Sequence, residues 1–275
     1  MPVPSISCKT DRWLDEALDA LRYQGFAVVE DVLSPAFCDR ARTALYKARD
    51  GIYAELGEDR LRAAGELGTL RLPLRYDETF FAFLEVPEVL ALIDATVGPT
   101  AILHLMNGFI LPSLERTATP TTYQNSFHRD FPRYMQGYLA SINTLFAVDT
   151  FTAENGATLA VPATHQRDER PSEEYLNNNV VPVEAPQGSM LVFDSTLWHS
   201  AGRNNSGRDR AALNMQFTRS FFKQQIDYVR ALGDSVIESL PERSKQLLGW
   251  YTRVVTSLDE FYQPADRRMY RGGQG

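Results

Sequence analysis

Cysteine is nearly absent from this 275-residue chain: Cys8 and Cys38 are the whole complement, and they form no CxxC pair. A disulfide framework and a zinc-thiolate site are therefore not expected, and the usage fits a reducing cytoplasm. Long apolar runs are missing as well. No stretch approaches the ~20 residues that a membrane-crossing helix needs, and Met1 to Asp11 lacks the basic-then-apolar layout of a secretion signal. The expectation is a soluble cytoplasmic protein. Positive charge is in deficit, with 28 Lys and Arg against 35 Asp and Glu and a net charge of -7. That balance argues against nucleic acid or an anionic membrane as the main partner. The one Arg271-Gly272-Gly273 run is a single copy near the tail and reads as a frayed end. No internal repeat, low-complexity tract or Pro/Ser-rich linker divides the chain, so one domain over 1–275 is the simplest organisation.

What is present is enough apolar material for a substantial core: 44% hydrophobic residues beside 23% charged. Trp13, Leu14, Ala17, Leu18 and Leu21 recur at helical spacing and predict an amphipathic helix over about 11–24, ended by Gly25. Phe26 to Glu30 reads as a short strand. Ser34-Pro35 is a helix start, with the hydroxyl as cap and proline in the first turn, and the helix is expected to reach Arg49. Residues 50–75 read as loop with some helix. Thr79 to Glu85 and Glu88 to Val97 read as two short helices around Pro87. From residue 101 the texture becomes β-rich: 101–111, 138–148, 158–161, 180–184, 189–193 and 210–220, with turn residues such as Glu154-Asn155-Gly156 between them. Short strands punctuated this way predict an antiparallel barrel or double-sheet jelly roll. Helical texture returns at Phe222 to Leu232 and Pro241 to Trp250. The expected layout is a helical part over about 1–100, a jelly-roll core over about 101–220 and a helical tail over about 221–275.

Chemistry concentrates in Phe127-His128-Arg129-Asp130-Phe131. In an extended segment, residues two apart point to the same face, so His128 and Asp130 stand side by side. An imidazole and a carboxylate are two-thirds of the set that holds non-haem Fe(II) with coordination sites left open. His199, just after a predicted strand, can complete a 2-His-1-carboxylate site if a barrel brings both strand ends to one mouth. A bare His-x-Asp pair also arises by chance or as a surface hydrogen-bond pair. Of the other histidines, His165 reads as a loop-stabilising partner and His104 as a core or pocket-edge residue.

The order of elements adds what the pair alone lacks. The Phe127–Phe131 segment is followed by Glu154-Asn155-Gly156, Val161-Pro162-Ala163-Thr164-His165, Gly188-Ser189-Met190-Leu191-Val192-Phe193, Trp198-His199-Ser200-Ala201-Gly202, Asn204-Asn205 and Arg210. This run, with Gly25 to Val29 and Asp31 to Ser34 before it, resembles the phytanoyl-CoA dioxygenase (PhyH-like) family of Fe(II)/2-oxoglutarate oxygenases over most of residues 20–220. Ala163-Thr164 departs from the Gly-Ser that the family often has, in a loop that reads as structural. The resemblance implies a mainly β fold with flanking helices around a double-stranded β-helix, a jelly-roll of cupin-like type. It implies Fe(II) on His128, Asp130 and His199, and 2-oxoglutarate as cosubstrate with its far carboxylate on Arg210. A guanidinium fork suits that carboxylate. Thr158 would touch the same cosubstrate. With dioxygen, the products would be succinate, CO2 and an oxidised small organic molecule, with natural-product biosynthesis as a setting. Related halogenases lack the carboxylate ligand; Asp130 therefore favours hydroxylation, or a related desaturation, cyclisation or epoxidation.

In the strand from Arg210, positions 210, 214 and 216 are polar while 211, 213, 215 and 217 are apolar. Periodicity leaves open whether the polar side lines a wet interior or faces solvent. Phe127, Phe131, Tyr134, Met135, Tyr138 and Trp198 flank the metal stretch as core or substrate wall, with Phe131 and Tyr134 the expected substrate contacts. The aromatic segment Trp250 to Tyr262 reads as a lid or an interface, the latter compatible with a homodimer. Two alternatives stay open: a cupin-like metal enzyme that does not use 2-oxoglutarate, and a non-catalytic binding protein on the same fold.

Overall fold

The computed structural model describes residues 2–113 and 125–274; Met1, Gly275 and residues 114–124, the last inside the expected jelly-roll span, lie outside it. Helix α1 (Trp13–Tyr23) buries Ala17, Ala20 and Leu21 on one stripe. Before it lies strand β1 (Ser5–Ser7), and after it Gly25, with a φ of 89°, turns the chain into strand β2 (Phe26–Glu30). Helix α2 (Pro35–Leu56) starts where the Ser34 hydroxyl accepts the Phe37 N–H at 3.2 Å. It outruns the expected end at Arg49 because the residue that adopts positive φ is Gly57, at 78°. The ambiguous stretch 50–75 holds the end of α2, helix α3 (Glu58–Ala63) and strand β3 (Thr69–Arg71). Helices α4 (Thr79–Ala82) and α5 (Pro87–Thr96) flank a single 3-10 turn, Phe83–Glu85.

The remaining elements in chain order are β4 (Ile102–Leu111), β5 (Ser141–Phe146), β6 (Thr158–Ala160), α6 (Glu173–Asn179), β7 (Val181–Val183), β8 (Met190–Asp194), β9 (His199–Ser200) and β10 (Arg210–Thr218), then α7 (Tyr228–Leu232), α8 (Asp234–Glu238), α9 (Glu242–Leu247) and α10 (Leu258–Phe261). Among the described residues the strands make a seven-stranded sheet, ordered β1-β2-β8-β5-β10-β4-β3, and a three-stranded sheet, ordered β7-β6-β9. The sheet does not wait for residue 101. β1, β2 and β3 all join it, and β1 and β3 are too short, at three residues each, to show a period in the sequence. The architecture is the mainly β, double-stranded β-helix core with flanking helices.

Period-two alternation sorts each strand of the large sheet between two apolar layers. Ala27 and Val29, Ile142 and Phe146, and Ala211, Leu213, Met215 and Phe217 pack against the helices, where α2 contributes Cys38, Ala41, Leu45 and Ala48. Phe26, Val28, Leu145, Leu191, Phe193 and Ala212 face the other way and meet Ala157, Ala160 and Val183 from the region of the small sheet. All nine residues of β10 are buried, because both of its faces are covered. Gly108 of β4 allows the closest approach of α2: a Cβ there would sit 2.4 Å from Leu45 Cδ2.

The pairing of β4 with β10 is irregular at one point. Gln216 of β10 lies opposite Leu105 of β4, but Phe217 lies opposite Leu103, so His104 is the extra residue of a β-bulge. The backbone groups around the bulge find partners in the segment before α7. Gln224 Nε2 donates to the Leu103 carbonyl at 2.8 Å, the Gln225 N–H donates to the His104 carbonyl at 3.1 Å, and the Met106 N–H donates to the hydroxyl of buried Tyr228 at 2.7 Å. That segment was expected to be helical from Phe222. The helix starts only at Tyr228, with the Asp227 side chain accepting the Arg230 N–H, because residues 224–225 are engaged with the bulge. Tyr228→Phe should therefore leave the Met106 N–H buried without its acceptor and lower the unfolding free energy by about 1–3 kcal/mol, measured by urea denaturation. Unchanged stability would show that the bulge does not depend on this hydroxyl.

Candidate metal centre

His199 lies on β9, which pairs with β6 through Ala160 on one side. On its other side the main chain pairs with His128. The His128 N–H donates to the His199 carbonyl at 2.9 Å and the His199 N–H donates to the His128 carbonyl at 3.0 Å. In such a closely bonded antiparallel pair the two side chains project from the same face. The rings accordingly lie 4.4 Å apart between centroids. Asp130, two residues on, completes the group: one carboxylate oxygen is 3.5 Å from His128 Nε2 and the other 3.7 Å from His199 Nε2. One ligand atom from each of the three residues can be chosen so that all lie within 4.8 Å of one another.

The ring orientations are set from behind by equivalent bonds. His128 Nδ1 lies 2.8 Å from the Ser126 carbonyl, and His199 Nδ1 lies 2.9 Å from the Leu197 carbonyl. A carbonyl can only accept, so both protons sit on Nδ1 and both Nε2 lone pairs point toward Asp130. Burial pulls the His199 pKa below the ordinary histidine range, although Asp130 opposes it. Burial works the same way on His128, but there the adjacent Asp130 carboxylate outweighs it and the pKa lies above that range. Burial alone would raise Asp130; His199, His128 and, after them, Arg71 outweigh burial and hold it below the usual carboxylate range. Two imidazole lone pairs and one carboxylate converge on one point. This donor set fits a divalent first-row metal and suits non-haem Fe(II).

The triad opens on a cavity of about 340 Å³ that also reaches Thr158 on β6 and Arg210 on β10. Leu145, Phe193 and Phe109 supply apolar wall. Arg210 is 6% exposed, its guanidinium carbon 4.3 Å from the Phe151 ring centroid. Burial lowers its pKa to about 10, with Asp149 opposing, so it stays charged at neutral pH. Asp149 is already engaged by Arg42 at 2.6 Å and by the Ala211 N–H at 2.6 Å. Among the described residues, Arg210 Nε and Nη1 have no hydrogen-bond partner. A buried cation in that state is costly unless an anion meets it. Its placement in the triad's cavity fits a carboxylate-bearing cosubstrate.

His128, Asp130, His199, Thr158 and Arg210 thus share one cavity. Phe131 and Tyr134 are not brought to it. The Phe131 N–H donates to the Ser195 carbonyl at 2.8 Å, the chain turns away, and the Phe131 ring meets Phe222 edge-on at 5.1 Å. Tyr134 lines a separate cavity with Met135, Tyr138 and His165. Phe127 packs with Val161, Leu176 and Trp198. In place of that aromatic wall, the cavity holds Arg71, His104, Asn107, Asn214, Gln216 and Gln225. Asn107 carried a sequence signal, as an amide inside an otherwise apolar strand. His104, read from the sequence as a core or pocket-edge residue, lines the cavity where the bulge falls.

A family model described as Phytanoyl-CoA dioxygenase (PhyH) matches residues 21–212. The protein named "Uncharacterized protein Rv1501" of Mycobacterium tuberculosis is 60% identical over 262 residues, covering 95% of this chain and 96% of that protein. "Dioxygenase trt7" of Aspergillus terreus is 29% identical over 176 residues, 64% of this chain and 59% of that protein. Two crystal structures share the fold. AviO1 from Streptomyces viridochromogenes Tue57 matches with a TM-score of 0.56 at 19% identity, over 74% of this chain and 94% of that one. The non-heme alpha ketoglutarate dependent epimerase SnoN from nogalamycin biosynthesis matches with a TM-score of 0.55 at 16% identity, over 74% and 82%.

The centre makes a direct prediction. Anaerobic Fe(II) titration followed by calorimetry should give one bound ion per chain. Asp130→Ala should weaken that binding by at least about 100-fold, the upper end of what losing a supporting group alone costs. Full retained affinity would remove Asp130 from the ligand set.

Proposed function

The chain belongs to the phytanoyl-CoA dioxygenase family, and on that premise we propose that it hydroxylates a C–H bond of a small organic molecule with 2-oxoglutarate and dioxygen as cosubstrates. The balance is one 2-oxoglutarate, one O2 and one C–H bond converted to succinate, CO2 and a C–OH group. His128, Asp130 and His199 would hold Fe(II), which supplies the redox chemistry that couples decarboxylation of the keto acid to oxidation of the substrate. The protein's own residues bind and orient. Arg210 receives the far carboxylate of 2-oxoglutarate with its unpartnered Nε and Nη1. Thr158, buried on the facing sheet, offers a hydroxyl to the same molecule. Leu145, Phe193 and Phe109 keep water from the space between. Asp130 would supply the carboxylate ligand in whose absence a halide could bind, which favours hydroxylation over halogenation.

The observation that carries this reading is Arg210: a buried guanidinium whose Nε and Nη1 have no hydrogen-bond partner among the described residues, in the same cavity as the triad. A metal centre that did not use a dicarboxylate would have no use for it. Arg210→Leu should raise the KM for 2-oxoglutarate roughly 10- to 150-fold, the factor equal to losing about 1.5–3 kcal/mol of charge-assisted hydrogen bonding. Arg210→Lys should restore part of it, since a point charge replaces a fork. The assay is succinate release at varied 2-oxoglutarate. Turnover indifferent to 2-oxoglutarate, or to Arg210, would turn the assignment toward a metal enzyme without that cosubstrate.

A further inference from the structure

We propose that the cavity wall formed by Asn107, Asn214 and His104 binds a neutral, polyhydroxylated substrate, a sugar-like ring or polyol, in preference to an acyl chain. This rests on the oxygenase reading above and names its substrate class. Register places Asn107 of β4 directly opposite Asn214 of β10, on the face of both strands that lines the metal cavity. Asn107 is 3% exposed and Asn214 8%. The Oδ1 of each is buried and, among the described residues, has no hydrogen-bond partner. His104, turned inward by the bulge, adds a buried Nδ1 in the same state.

The orientation of Asn214 is held by a network behind the wall. Asn143 Nδ2 donates to Ser195 Oγ at 2.7 Å, which leaves Asn143 Oδ1 to accept Asn214 Nδ2 at 3.0 Å. Ser195 Oγ is in turn 2.8 Å from Ser141 Oγ, which accepts Gln216 Nε2 at 3.0 Å. Asn143, Ser141 and Ser195 are all at most 2% exposed. A buried chain of this kind holds the Asn214 side chain in place, with its oxygen on the cavity side. An amide oxygen only accepts, so it calls for O–H or N–H donors on the ligand.

Of the cations lining the cavity, Arg210 is taken by 2-oxoglutarate in the reading above, and the other two are engaged by the protein. Arg71 forks onto Glu66 at 3.1 and 2.7 Å, and Arg129 donates to the carbonyls of Arg167, Pro132 and Asp168. With those cations engaged and neutral acceptors presented, the wall suits hydroxyl groups better than a carboxylate or phosphate. A hydrocarbon chain against it would leave both amide oxygens dry and unmatched, which is the strongest form of discrimination a site can exert against a ligand lacking the polar group.

The test uses the full chain with Fe(II) and 2-oxoglutarate under argon, titrated calorimetrically with two panels. One holds methyl hexosides, methyl 6-deoxyhexosides and inositol; the other holds butyryl to palmitoyl thioesters and the free acids. Succinate release in air is read in parallel. The expected result is that at least one hydroxylated probe binds and accelerates succinate release. Asn107→Leu should weaken that probe by at least about ten-fold. Its melting temperature should stay level or rise, because a near-isosteric leucine removes an unmatched buried acceptor; a merely structural asparagine would lower it. Asn107→Ser is the second variant, withdrawing the amide without adding apolar bulk, and should weaken the same probe. Binding of the acyl panel alone, or of neither panel, overturns the proposal, as does unchanged affinity in Asn107→Leu. Protein that binds a hydroxylated probe through Asn107 but releases no succinate keeps the wall and loses the oxygenase reading. Protein that turns over 2-oxoglutarate yet ignores hydroxylated probes does the reverse.

Discussion

Two main-chain hydrogen bonds, exchanged between His128 and His199, hold the site together. They join a segment that follows β4 to the outer strand of the small sheet, and they set the two rings on one face without any help from side chains. The chain is tied again just past Asp130, where the Phe131 N–H meets the Ser195 carbonyl. The carboxylate is thus held between two backbone anchors. The imidazoles gain their orientation from carbonyls two residues upstream, so the backbone holds the donor set together. Placement by backbone is the form of support least exposed to side-chain entropy.

The second constraint is the double use of β10. Its odd-numbered residues from Ala211 to Phe217 belong to the apolar layer beneath the helices, while Arg210, Ala212, Asn214 and Gln216 face the cavity. A slip of one residue would exchange the two sets and bury the arginine in the helix-facing core. Register here therefore fixes both stability and chemistry. The bulge against β4 breaks that alternation, and the C-terminal segment from Gln224 to Tyr228 takes up backbone groups around it. The tail is consequently part of the site's support.

Much of the site could be read from residue type and order. His128, Asp130 and His199 stood out because few other side chains can make that donor set, and the strands carrying Arg210 and His199 showed as β-rich runs. Other features were closed to sequence reasoning for physical reasons. Both faces of β10 are buried, so its polar and apolar alternation has no sign: only the helices packed on one side say which face is the cavity. β1 and β3, at three residues each, are too short to show a period. The carbonyls that orient the histidines are backbone and have no letter. Phe131 and Tyr134 lie next to Asp130 in sequence, but a single hydrogen bond to Ser195 turns the chain, and proximity along it no longer means proximity in space.

Several of the buried polar atoms that this chain leaves without internal partners gather in one place. Arg210, Asn107, Asn214 and His104 line the same cavity, and each carries a desolvated group with nothing in the described structure to meet it. A core built for stability alone would replace them with apolar residues, since an unmatched buried polar atom is more costly than none. The large sheet tolerates them because its opposite face is largely apolar, from Ala27 on β2 through Phe146 on β5 to Phe217 on β10. Stability is drawn from one side of the sheet and the cavity from the other. What can occupy the cavity is then limited by the atoms left waiting in it: an anion at Arg210, a metal at the triad, and hydrogen-bond donors at the asparagine pair.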